Sequence, residues 1–80
     1  MDNLKKYNEI FAEVFAIDES ELNDNFSRNS NSSWDSIHQL NLITFIEDSF
    51  DIMFDGEDAL SLDSYLKGKE ILSTKYNIVF

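Results

Sequence analysis

Leu4, Tyr7, Ile10, Phe11, Val14 and Phe15 place apolar side chains three and four residues apart through the first stretch of the chain. That is the period of an amphipathic helix, with Asp2 or Asn3 positioned to cap it and an end expected near Ile17. From Asp18 to Ser33 the pattern dissolves into Asn- and Ser-rich sequence in which Leu22 and Phe26 are isolated apolar anchors. A long ordered loop pinned to the core is the expectation there, rather than a disordered linker. The helical period resumes from about Asp35 to Phe50. At about 100° per residue, Leu42, Ile43, Ile46 and Phe50 gather on the core side. Ile37, Leu40, Asn41, Thr44, Glu47 and Asp48 spread over another arc, with Ser36 at its edge. A short turn or helix around Glu57 to Leu60 follows. The last helix should run from Ser64 to about Lys75, capped by Asp63 and facing inward with Tyr65, Leu66, Ile71 and Leu72. Gly68 falls on or beside that inner face, where a missing side chain lets a neighbouring helix come close. The predicted fold is all-α: a small four-helix bundle with a long loop between helices one and two and a short third helix.

Eighty residues make one domain, 1–80, with one small core. The absence of proline and the presence of only two glycines leave long stretches free to be helical. No cysteine is present, so disulfides and thiolate metal sites are excluded, and any thiol chemistry must come from an added group. No apolar run is long enough for a membrane span or a signal peptide, which places the chain in the cytoplasm. A net charge of −10 argues against nucleic acid or an anionic membrane as partner and for proteins with basic surfaces; a monomer is expected. The six bases, Lys5, Lys6, Arg28, Lys67, Lys69 and Lys75, all lie outside residues 29–66, and that stretch holds eight acids: Asp35, Glu47, Asp48, Asp51, Asp55, Glu57, Asp58 and Asp63. An uncompensated negative face around Ser36 is the expectation.

Within that stretch, Trp34-Asp35-Ser36-Ile37 stands where the second helix begins. Asp is a favoured N-cap residue, and a serine just after it occupies the first turn, where free N–H groups and the helix dipole favour a negative group such as a phosphodiester. The serine has no base of its own: the one histidine, His38, is two residues on and points to another side of the helix. Ser36 is therefore read as a residue acted upon, and the chain as not an enzyme. A calcium loop starting at Asp51 is excluded, since it would put Met53 at the third ligand position and Leu62 where a bidentate Glu is needed. His38 reads as a surface residue with no companion ligands, so no metal site is expected. Trp34 has two readings, packing of the loop onto the core or contact with a partner. An unmodified acidic adaptor, binding one partner through the apolar and acidic strip of the second helix, is the rival functional class.

The chain resembles the acyl carrier proteins over nearly its whole length. The resemblance rests on the amphipathic first helix, the long loop, Asp35-Ser36-Ile37 in place of the family's Asp-Ser-Leu, the run from Leu42 to Glu47-Asp48-Ser49-Phe50-Asp51-Ile52, and the short third helix. It implies that Ser36 carries 4′-phosphopantetheine, added from coenzyme A by a Mg²⁺-dependent holo-carrier synthase, whose terminal thiol holds an acyl group as a thioester. It also implies that Asp35 and the acids of helices two and three, Glu47, Asp48, Glu57 and Asp58 among them, guide partner enzymes with basic surfaces. Those partners would be acyltransferases, ketosynthases or acyl ligases, and the core would be able to shelter an acyl chain. The chain departs from carriers of bacterial fatty acid synthesis in having His38 and Asn41 where acids are usual, Ser32-Ser33 where Leu-Gly is common, and Trp34 in place of a small residue. Those departures resemble carriers of specialised lipid, polyketide or surface-modification pathways; an aminoacyl carrier is the alternative within the family.

Overall fold

A computed structural model describes residues 2–80, and over these the chain is all-α with four helices. They are α1 (Asn3–Phe15), α2 (Ser36–Phe50), α3 (Gly56–Ser61) and α4 (Tyr65–Lys75). Asp2 caps α1 through its side chain, accepting from Leu4 and Lys5, and the helix stops at Ala16, whose left-handed φ of 54° returns its N–H to Ala12. That stop falls just short of Ile17. The interior is strongly aromatic. Tyr7 and Phe11 are fully buried, and Phe11 lies within ring contact of Phe15, Phe26, Trp34 and Tyr65. Leu42 and Ile46 of α2, Leu62, and Leu72 of α4 close the rest.

The long connection between α1 and α2 is tied down along its length. Asp18 and Glu21 form a capping box around a single 3-10 turn, Glu19–Glu21. Leu22 and Phe26 pack against the core as the spacing predicts. Further on, Arg28 N–H donates to Asp63 O (2.8 Å) and Tyr65 N–H to Phe26 O (2.9 Å), hooking the loop onto the start of α4.

Helix α4 differs from expectation in two places. Its N-cap is Ser64, which accepts from Lys67 N–H, and not Asp63, whose carbonyl receives Arg28 instead. Leu66 is half out of the fold because the buried face of α4 follows Tyr65, Gly68, Ile71 and Leu72, and Leu66 sits a hundred degrees or so around from Tyr65. Gly68 does allow close approach: a Cβ there would lie 2.1 Å from the Tyr7 hydroxyl. After α4 the chain turns back on Asn77 (φ 59°), with Ile78 N–H returning to Leu72 O. The tail is then tied to α1 by Asn3 Nδ2 donating to Val79 O, and Phe80 rests against Tyr7 and Phe50.

Candidate functional site

Ser36 is the first residue of α2 and is exposed. Its neighbour Asp35 is the N-cap: Oδ1 accepts from His38 N–H at 2.9 Å and contacts His38 Nδ1 at 2.8 Å. The backbone bond from His38, and next its side chain, hold the Asp35 carboxyl below the ordinary carboxylate value. His38 is not the free surface residue expected from the sequence. Its ring stacks on Phe15, centroids 5.6 Å apart and planes within 11°, so it is half-buried between α1 and Asp35.

On the other flank Trp34 packs inward. It is 3% exposed, enclosed by Phe11, Phe15 and Phe26, and its indole N–H donates to Gln39 Oε1. Gln39 then donates through Nε2 to Ala59 O (2.9 Å) and Leu62 O (2.8 Å). One carboxamide thus joins the loop, α2 and the end of α3. Sequence reading missed it, because a Gln among polar neighbours at a helix start carries no sign of which face it occupies.

The strip read as a partner surface is partly at the surface and partly internal. Ile37 and Leu40 are 69% and 65% exposed, large values for apolar side chains, and Asn41 and Asp48 are exposed as well. Thr44 is exposed, but its hydroxyl donates to Leu40 O. Glu47 is half-buried and accepts from Phe54 N–H at 2.9 Å, so it shapes the turn after α2. Glu57 is exposed. Asp58 must be removed from the surface set: it is 2% exposed, accepts from Lys75 Nζ (2.6 Å) and Tyr76 Oη (2.9 Å), and is held below the usual carboxylate range chiefly by the Lys75 bond. The negative face is therefore compensated at this point by a base from α4. Outside α2, Leu60 and Met53 are each more than 80% exposed.

A groove of about 610 Å³ runs between α4 and the tail, lined by Leu66, Ser73 and Phe80 among others. Phe80 meets Phe50, the last residue of α2, which lies about 21 Å along the helix axis from Ser36. The groove and the serine are at opposite ends of α2. Among the described residues no three His, Asp or Glu side chains converge as a metal site, and no helix is long and apolar enough to cross a membrane. No family model matches the chain, and no curated protein matches it.

Proposed function

We propose that this chain is a carrier that holds acyl intermediates as thioesters on a 4′-phosphopantetheine arm attached to Ser36, in a specialised lipid, polyketide or surface-modification pathway. The observation that carries the reading is an exposed serine at the first position of α2, directly after an N-cap aspartate already committed to the helix. The residues present fit the group. Ser36 Oγ is open to a transferring enzyme, and the positive end of a 15-residue helix favours the phosphodiester that would replace the hydroxyl. When bound, the arm supplies a thiol that the chain itself lacks. Attachment exchanges one P–O bond for another: Ser36 Oγ bonds to the phosphorus bearing pantetheine, the pyrophosphate bond of coenzyme A breaks, and adenosine 3′,5′-bisphosphate leaves. The serine proton goes to a base on the transferase: among the described residues no hydrogen bond joins Ser36 to His38, whose Nδ1 is held by Asp35 and whose ring is stacked on Phe15. Ile37 and Leu40, within the first turns after the serine, give basic-surfaced enzymes an apolar contact beside it, with Leu60 exposed on α3 and Asp48 and Glu57 as exposed acids.

Incubation with coenzyme A, Mg²⁺ and a broad-specificity carrier transferase tests the reading by intact mass. The wild type should gain one phosphopantetheine and Ser36→Ala none. A wild type that gains nothing leaves the exposed Ile37, Leu40 and Leu60 to the rival reading, an unmodified adaptor.

A further inference from the structure

Two seams flank the end of α2 that bears Ser36, and side-chain contacts span both. On the α1 side, His38 lies flat on Phe15 and is tethered by Asp35. On the α3 side, Gln39 spans from the Trp34 indole to the carbonyls of Ala59 and Leu62. Beneath them Phe11, Leu42 and Leu62 are fully buried, so the space that the seams lead to is already filled by side chains. A flexible chain tethered at Ser36 that entered by the α3 seam would have to strip Gln39 from two carbonyls that nothing apolar could satisfy. Entry on the α1 side would have to unstack His38 and displace a close-packed aromatic cluster.

We infer that cargo held at Ser36 stays outside the helical core, and that this chain carries short or polar acyl groups, aminoacyl groups included, in place of long alkyl chains. The inference rests on the carrier reading, and it turns the expected acyl-sheltering core into a closed one. Gln39 is the specificity-determining residue: its carboxamide closes the seam that a longer cargo would have to open.

The test compares the protein loaded at Ser36 with acetyl-phosphopantetheine and with decanoyl-phosphopantetheine, loading checked by intact mass, in thermal melts. Each methylene taken into the core would raise the midpoint by about 3–6 °C. The expected result is that the two midpoints coincide; a decanoyl form that melts well above the acetyl form overturns the inference. Gln39→Met keeps the side-chain volume and loses the three hydrogen bonds, so in that variant the decanoyl form should melt above the acetyl form. Coincident midpoints in a folded Gln39→Met would remove Gln39 from the argument, and the wild-type comparison stands whether or not the variant folds. If the wild type accepts no phosphopantetheine, the carrier reading falls separately. The seams are then tested on Ser36→Cys, the one cysteine in that chain, alkylated with iodoacetamide or its N-decyl analogue, with the same two outcomes.

Discussion

Gly68 and Tyr7 form the tightest point of the core. The Tyr7 hydroxyl donates to Tyr65 O at 2.6 Å, and burial, with Tyr65 beside it, pushes the phenol well above its ordinary pKa. A Cβ on residue 68 would meet that oxygen at 2.1 Å and Leu62 Cδ1 at 2.8 Å. Gly68→Ala gains about 1 kcal/mol of helix propensity but forces the phenol from its site. Overpacking and the buried Tyr7 hydroxyl, which loses its bond to Tyr65 O, outweigh that gain, for a net loss of about 2 kcal/mol in urea denaturation. Tyr7→Phe removes the nearest atom, so the double variant should lose less than the two single losses added; strict additivity would show that the hydroxyl is not what Gly68 accommodates. The need for a small residue here was legible from the position of Gly68 on the inner face of α4. Other residues were not. Asp55, Glu57 and Asp58 read alike in an acidic run, and only the fold brings Lys75 and Tyr76 to Asp58. His38 looked exposed because its ring partner, Phe15, lies on another helix.

At the scale of elements, period and capping chemistry located all four helices to within a residue or two. Leu42 and Ile46, which the period puts inward, are fully buried, with Ile43 and Phe50 packed partly against them. The Ser64 cap escaped because Asp63 and Ser64 are both good caps, and the choice follows from Asp63 O being taken by Arg28 N–H. The returning tail had no periodic signal at all; its course depends on Asn77 adopting positive φ and on Asn3, most of the chain away. Ala16 exposes a testable flaw in an otherwise well-terminated element. It holds the left-handed conformation that ends α1, yet carries a Cβ, and it is exposed, so a glycine there removes strain without removing packing. Ala16→Gly should stabilise the protein by about 0.5–1 kcal/mol, after allowance for the more flexible unfolded chain. A urea midpoint at or below that of the wild type would mean that the terminating turn tolerates alanine without cost.

For the whole molecule, the charge is far from balanced at −10, and few of the bases are free to offset it. Lys6 and Lys69 lie over the Phe50 and Tyr65 rings, Lys67 pairs with Glu70, and Lys75 reaches Asp58. Screening of the remaining repulsion should raise the melting midpoint in added salt, and a midpoint that falls between low and moderate NaCl would count against it. The Asp58–Lys75 pair gives a pH dependence that salt cannot mimic. The Asp58 carboxyl is lowered from 3.8 by the Lys75 hydrogen bond first, so its contribution is present above the unfolded value and is lost as pH falls through the folded one. Lys75 is raised from 10.5 by Asp58, so its contribution is complete below that value and is lost as pH rises through the folded one. Between these limits the pair fastens α3 to the end of α4, and Tyr76, which bonds both Asp58 and the Asp55 N–H, shares that task. Lys75→Met leaves a buried carboxylate without its cation, and that carboxylate can relieve itself only by taking up a proton. The variant should therefore melt well below the wild type at neutral pH, and the gap should shrink as pH falls through the ordinary carboxylate range, closing only below the lowered value that Asp58 holds in the wild type. Melts of the two proteins across that range read the difference directly. A gap that stays constant from neutral to acid pH would show that Lys75 stabilises α4 through packing alone and that Asp58 does not fasten α3 through its charge.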